Sequence, residues 1–289
     1  MAMRSWLFVP GDSERKLAKA LDSGADVVIV DLEDAVAPEH KAQARLMAAQ
    51  WLAAGRSAGG ALWVRINPLD GELWREDVAA VITAAPAGIM IPKAAGPAQL
   101  AEFSAELDAL EHLHELPRGA TRILPLVSET AAAALTIAEY AAAALPRLAG
   151  LTWGAEDLSA AIGAGRKRGA DGEWTDLFRM VQAQVLLTAH ASGVAPVDTL
   201  FAEFRDLAGL ERAARASYAD GFAGMLAIHP SQVAVINKAF SPGAAELERA
   251  RAIVAAFDQA PGTGALQLEG RMLDRPHLEQ ARRLLARFG

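Results

Sequence analysis

Eight short β-branched runs, each bounded by turn residues, recur along the chain and decide which class of fold is open to it. They are Leu7–Val9, Val27–Asp31, Leu62–Ile66, Ile89–Ile91, Ile123–Val127, Leu148–Trp153, Gly193–Val197 and Met225–Ile228. Between them apolar residues take helical spacing: Ala44, Met47, Ala48 and Trp51; Leu100, Phe103, Leu107 and Leu110; Val181, Val185 and Thr188. Strand alternating with helix specifies a parallel sheet covered by helices, and eight repeats suffice to close it. An α/β fold of the (β/α)8 TIM-barrel type is therefore favoured over an open doubly wound sheet. Such a barrel takes roughly 250 residues. The 289 residues here, 52% of them hydrophobic, accommodate one with a single core.

After the eighth run the alternation breaks. Val233–Phe240 and Leu247–Phe257 read as two successive helices, followed by Pro261-Gly262-Thr263-Gly264. Then come Ala265–Asp274 and a helix with Leu278, Ala281, Leu285 and Phe288 on one face. The expectation is a single barrel domain over 1–289 with 241–289 as a C-terminal extension, which packs on its own barrel or reaches a neighbouring subunit.

The net charge of −7, with Lys and Arg scattered, provides no surface for a polyanion, so nucleic acid is not an expected partner. The absence of cysteine excludes disulfides, thiolate metal sites and a cysteine nucleophile. Trp6–Val9 is too short for a signal-peptide core, and no run approaches the roughly 20 apolar residues of a membrane span. A cytoplasmic protein without membrane association is expected.

A βα barrel forms its active site at the C-terminal ends of its strands, so polar residues that close apolar strands carry the functional signal. Five consecutive strands supply them: Asp31-Leu32-Glu33-Asp34, Arg65-Ile66-Asn67, Pro92-Lys93, Ser128-Glu129-Thr130 and Gly154-Ala155-Glu156-Asp157. Glu129 and Asp157, from neighbouring strands, form a carboxylate pair suited to a hard cation such as Mg2+, which keeps water and substrate oxygens as its other ligands. Zinc fits poorly, because His112 and His114 face different sides of a helix and there is no HExxH pair. Arg65, inside an apolar strand, requires either an anionic ligand or an internal ion pair to Asp31 or Glu33. Lys93 could neutralise the site, pair with those carboxylates, or form a Schiff base.

These motifs resemble those of the citrate lyase β-subunit-like group in the HpcH/HpaI aldolase superfamily. The resemblance runs from Leu7-Phe8-Val9-Pro10-Gly11 through Asp31–Val36, Val64–Asn67, Ile91–Lys93 and Ser128–Thr130. It continues through Gly154–Leu158, Gly221–Gly224 and Ile228–Gln232 to Glu269-Gly270-Arg271-Met272-Leu273-Asp274. It implies a Mg2+-dependent carbon–carbon lyase acting on citryl-, malyl- or citramalyl-CoA-like thioesters. Glu129 and Asp157 would be the metal ligands, with Arg65 catalytic and, with Glu129 and Glu156, contacting substrate. Phe8 and Lys19 match coenzyme A-binding positions, although Ser13 stands where relatives carry arginine, and Arg271 replaces a usual lysine. In the family's coenzyme A lyases the residue matching Asp274 comes from an adjacent subunit of a trimer and acts as the acid–base group, so a homo-oligomer, trimer or hexamer, is implied. Two alternatives stay open: a metal-dependent aldolase on free hydroxy or oxo acids, and a component of a multi-enzyme lyase that depends on an acyl carrier protein. The loop Gly163–Trp174 is expected to influence which 2-oxo acid fits.

Overall fold

The computed structural model describes residues 3–55 and 61–289, which fall into two units, Met3–Asn237 and Lys238–Gly289. The first is the barrel. Its first half runs β1 (Ser5–Pro10), α1 (Glu14–Ala20), β2 (Val27–Asp31), α2 (Lys41–Gly55), β3 (Ala61–Arg65), α3 (Leu73–Val81), β4 (Gly88–Ile91) and α4 (Pro97–Leu113). Its second half runs β5 (Arg122–Pro125), α5 (Ala131–Thr136), β6 (Gly150–Leu151), α6 (Ala155–Ala161), α7 (Asp176–Ala191), β7 (Ala195–Asp198), α8 (Leu207–Asp220), β8 (Gly224–Ala227) and most of α9 (Pro230–Ala239), whose last two residues belong to the second unit. All eight expected strands form, within a few residues of the apolar runs.

Every pairing in the ring is parallel, in the order β5-β4-β3-β2-β1-β8-β7-β6. Two isolated parallel bridges, Ile123 with Leu148 and Leu126 with Thr152, join β5 to the chain on either side of β6 and complete the ring. The expected strand Leu148–Trp153 is therefore shortened to Gly150–Leu151, its ends pairing only at single points.

Inward-facing side chains fill the barrel: Trp6, Val27, Ile29, Trp63, Met90, Leu124, Leu126, Val197 and Leu226, with Phe8 and Leu200 packed against them. Trp6 and Trp63 meet edge to face with centroids 5.1 Å apart. Gly88 makes room for them, since a Cβ there would sit 2.4 Å from the Trp63 ring. The helices turn their apolar stripes inward, with Leu100, Phe103 and Leu107 of α4 and Phe178, Val181 and Val185 of α7 buried. None of the helices in the described residues is long and apolar enough to cross a membrane.

The second unit comprises α10 (Ala244–Gln259), a hairpin of β9 (Ala265–Leu268) and β10 (Arg271–Asp274), and α11 (Arg275–Phe288). Its core is Ala250, Ile253, Phe257, Leu273 and Ala281. The boundary falls at 237/238, ahead of the expected 241. The hairpin lies in the tail left without an assignment above. Its two-residue turn, Glu269-Gly270, has both φ angles positive, 51° and 77°, the twist that antiparallel strands favour.

Candidate active site

Parallel register puts Asp31 at the end of β2 directly beside Arg65 at the end of β3. The guanidinium grips Asp31 with two hydrogen bonds, Nε to Oδ1 at 2.8 Å and Nη2 to Oδ2 at 2.6 Å, and reaches Glu33 Oε2 at 2.9 Å. Of the two possibilities left by the sequence, the internal ion pair is realised, and with both carboxylates at once. Arg65 also lies over the Phe8 ring, 4.8 Å from its centroid, and lines the same cavity. Lys41 braces this corner from α2, donating to the carbonyls of Leu32 and Glu33 at 2.7 Å each and to Asn67 Oδ1 at 2.8 Å.

Beyond β4 the chain turns at Lys93 in a left-handed conformation, φ 49°, which an L-residue adopts only when its surroundings hold it there. The result is one residue beside four carboxyl groups. Its backbone N–H donates to Glu129, its ammonium contacts Glu33, and the ammonium lies 3.7 Å from Asp34 Oδ2 and 3.9 Å from Asp157 Oδ1. Burial lowers the lysine's pKa, but Glu33 outweighs it and holds the ammonium above its ordinary value. A neutral amine for Schiff-base chemistry is thus disfavoured.

Glu129 follows β5, where Thr130 caps α5 by accepting from Ala133 N at 3.1 Å. Glu129 is only 4% exposed. Burial pushes its carboxyl up to about 8; the Lys93 N–H and Arg65 oppose this, and neighbouring Asp157 and Glu33 reinforce it. Asp157 arrives on the first turn of α6, after Gly154. Glycine at 154 leaves Glu129 its room, because a Cβ there would crowd it, 3.0 Å from Glu129 Cγ and 3.1 Å from Oε1. Two hard oxygen donors that repel one another in a mostly buried pocket match the needs of a divalent cation, which would relieve the repulsion. Among the described residues no group of three or more His, Asp or Glu is placed to hold a metal. A cation here would complete its shell with water and substrate.

The cavity around these groups measures about 50 Å³. Its lining combines the polar side chains of Arg65, Glu129, Glu156, Asp157 and Thr199 with those of Phe8, Leu126, Trp153, Leu200 and Leu226, and with Gly154 and Ala155. Larger clefts of about 460 and 340 Å³ lie in the C-terminal unit and beside α8, but neither brings together Arg65, Glu129 and Asp157. Of the residues singled out from sequence, Phe8, Arg65, Glu129, Glu156 and Asp157 thus converge. Lys19 is exposed on α1 and is not among the cavity's lining residues. Asp274, in the second unit, ends β10 and caps α11 in a reciprocal box with His277.

Three features escaped the sequence reading. The conformation of Lys93 is one. A second is the segment 167–175, a tight hairpin in which Thr175 N donates to the Lys167 carbonyl, Gly169 N to Glu173 O, and Arg168 lies 3.5 Å over the Trp174 ring. Trp174 in turn packs edge to face on the cavity residue Trp153, and Lys167 pairs with Glu156. The third is fully buried Asp198, which fixes Trp153 by accepting its Nε1–H at 2.7 Å. The aromatic and cationic residues six apart, Arg168 and Trp174, with glycines between them, were the available signal.

Residues 4–230 match the HpcH/HpaI aldolase/citrate lyase family. The citrate lyase subunit beta-like protein of Mycobacterium tuberculosis is 38% identical over 285 residues, covering 98% of this chain and 95% of its own. Two proteins of Cereibacter sphaeroides are each 36% identical: an L-malyl-CoA/beta-methylmalyl-CoA lyase, covering 96% of this chain and 92% of its own, and a (3S)-malyl-CoA thioesterase, covering 98% and 94%. The crystal structure of CitE from M. tuberculosis in complex with magnesium, acetoacetate and coenzyme A superposes with a TM-score of 0.80 at 37% identity, covering 99% of this chain and 98% of that one. The fold, the converging rim residues and these likenesses agree: the chain belongs to the HpcH/HpaI aldolase/citrate lyase family, as a CitE-like enzyme of the carbon–carbon lyase class.

Proposed function

We propose that the protein cleaves a 3-hydroxyacyl thioester of the citryl-, malyl- or citramalyl-CoA kind into an acetyl thioester and a 2-oxo acid, with Mg2+ as cofactor, and that it catalyses the reverse condensation. The observation that carries this reading is the meeting of Glu129 and Asp157 with Arg65 in one cavity on top of the barrel core. Glu129 and Asp157 would hold the metal, and Mg2+ bound there supplies Lewis acidity to the substrate's hydroxyl oxygen.

The chain's own residues account for the remaining roles. Arg65 orients the acid end of the substrate with the N–H groups left over from Asp31 and Glu33, and offsets charge on the emerging oxo group. The hydroxyl proton passes to solvent water, and the bond between the hydroxyl-bearing carbon and the thioester α-carbon breaks. Its electrons pass into the thioester enolate, which takes up a proton at carbon. Asp274 is assigned that proton transfer, supplied by a neighbouring copy in a trimer-based homo-oligomer. Phe8, Leu126 and Leu226 keep the floor of the site dry. Phe8 and Lys19 are assigned the coenzyme A thioester, Phe8 at the acyl end because it lies beneath Arg65.

The test is a panel of purified protein with acetyl-CoA and single 2-oxo acids, with Mg2+ or with EDTA, analysed by mass spectrometry. A hydroxyacyl-CoA product formed only with Mg2+, and lost in Glu129→Ala, is the expected result. Full Mg2+-dependent turnover in Glu129→Ala would refute the metal assignment. Hydroxyacyl-CoA split to free acid and coenzyme A, the activity named for one relative, would replace cleavage by hydrolysis. Turnover only on carrier-bound thioesters would make the protein a component dependent on an acyl carrier protein, and turnover of free hydroxy acids would make it an aldolase.

A further inference from the structure

We infer that Asp274 and His277 form a proton-sharing couple, in which His277 holds the proton that Asp274 exchanges with carbon and trades it with water. The inference rests on the assignment of Asp274 to proton transfer in the reading above, and adds a second residue to that step. Asp274 ends β10 and opens α11, and the third residue of the helix is His277, where a capping box ordinarily carries Glu or Gln. One ring nitrogen, His277 Nδ1, meets Asp274 twice: at the side-chain oxygen Oδ1, and at the backbone N–H, 3.2 Å away. These two contacts require opposite states of the nitrogen. With a proton, Nδ1 donates to the carboxylate; without one, it accepts from the backbone N–H. Either state of the ring is therefore satisfied, and a proton that moves from Nδ1 to Oδ1 strands no polar group.

A glutamine at 277 would close the cap equally well, so what imidazole adds is titration near neutrality. An ordinary aspartic acid gives up its proton at about pH 3.9 and an ordinary imidazole at about pH 6.5. Proton donors and acceptors work best when matched to the pH of the reaction. In cleavage, the imidazolium passes its Nδ1 proton to the Asp274 carboxylate, the acid so formed protonates the enolate carbon, and the neutral ring takes a proton back from water. The proton released to water from the substrate hydroxyl balances that uptake, and condensation runs the same steps in reverse. Asp274 thus faces the substrate and His277 acts through it. The side chains are 45% and 48% exposed, which leaves the ring in contact with solvent. Asp274 pairs across the hairpin with Ala265 of β9, a strand without charge. Other charges of the unit pair with one another: Arg249 with Glu269 at 3.9 Å, Arg282 with Asp258 at 3.5 Å and Arg283 with Glu279 at 3.7 Å.

The experiment follows hydrogen exchange at carbon. The intact protein is incubated in deuterium oxide with Mg2+, acetyl-CoA and single 2-oxo acids, and deuterium entering the acetyl group is read by mass spectrometry. Wild type is expected to exchange, and His277→Gln, which keeps the cap, to melt with it yet exchange about tenfold or more slower. Added imidazole should speed exchange in His277→Gln and leave wild type unchanged, a response that loss of a purely structural contact would not give. Exchange at the wild-type rate in His277→Gln, or a slow rate indifferent to imidazole, would overturn the inference. If His277→Gln does not fold, His277→Ala with and without imidazole decides by the same criterion. Absence of exchange in the wild type also overturns the couple, even where a carbon–carbon bond is made or broken. Exchange that depends on His277 without any such bond would sink only the lyase reading.

Discussion

The backbone N–H of Lys93 donates to the carboxylate of Glu129, while the ammonium of the same residue contacts Glu33 and approaches Asp157. A single strained residue therefore sets the position of one proposed metal ligand and the charge beside the other. Lys93→Gly keeps the N–H and accepts the left-handed backbone readily; Lys93→Met keeps the bulk and the strain. Both variants should lose about 10–100-fold in kcat/KM or in Mg2+ affinity, with Lys93→Gly melting no earlier than Lys93→Met. Wild-type kcat/KM in Lys93→Gly would mean that the ammonium has no part in the site.

Arg65 has two jobs that separate experimentally. Arg65→Lys retains a counter-ion for Asp31 and Glu33 but loses the fork, so turnover should fall about 100-fold with the fold intact. Arg65→Ala strands two buried carboxylates as well, and should lose about 3–5 kcal/mol of stability in urea titration. Equal melting of wild type and Arg65→Ala would show that the ion pairs seen here contribute nothing to folding.

If Asp274 serves the site of an adjacent copy, two inactive variants should rescue one another. Glu129→Gln and Asp274→Asn, each nearly inactive alone, when unfolded and refolded together at equal amounts should regain activity from about a quarter of the sites. Absence of recovery in mixed oligomers verified by mass spectrometry would place Asp274 in its own subunit's chemistry or outside it.

Acid stability should depend on a site remote from the chemistry. Arg147 is clasped by Glu111, with Nη1 to Oε1 at 2.8 Å and Nη2 to Oε2 at 2.6 Å, and it also pairs with Asp108. Burial would raise the Glu111 carboxyl, but Arg147 and the N–H groups of Thr121 and Gly119 outweigh it and hold the carboxyl below the ordinary range. In the folded state Glu111 therefore stays ionised where an unfolded Glu, with a pKa of about 4.3, takes up a proton. Its stabilisation is complete above that pH and disappears as pH falls through the folded value. Urea midpoints of the wild type should drop below about pH 4.3, and those of Glu111→Gln, lower at neutral pH, should drop less over the same interval. Parallel curves for the two proteins would contradict this.

How much of this was legible in the sequence depends on range. Apolar runs such as Val27–Asp31 announce their strands because a parallel strand is buried on both faces, and consecutive strand ends announce a rim because the fold puts them all on one side. Glu129 and Asp157 were accessible by that logic. The engagement of Arg65 with both Asp31 and Glu33 was not, since sequence gives neighbouring strands but no side-chain geometry. The left-handed turn at Lys93 was hidden because nothing in Ile91-Pro92-Lys93 demands it; the surrounding carboxylates impose it. The Glu269-Gly270 hairpin was missed for a different reason: its strands are four residues each and only Leu273 in them is buried, so they carry no apolar run.

Around the ring, β5 and β6 are the one neighbouring pair linked by isolated bridges instead of a continuous ladder, and Glu129 and Asp157 follow those two strands. An ion gripped by both side chains would act as a clasp across that seam. Tightening of the barrel and retention of the ion would then be two readings of the same free energy, and amide exchange along Ile123–Val127 and Leu148–Thr152 would slow as the ion's concentration rises.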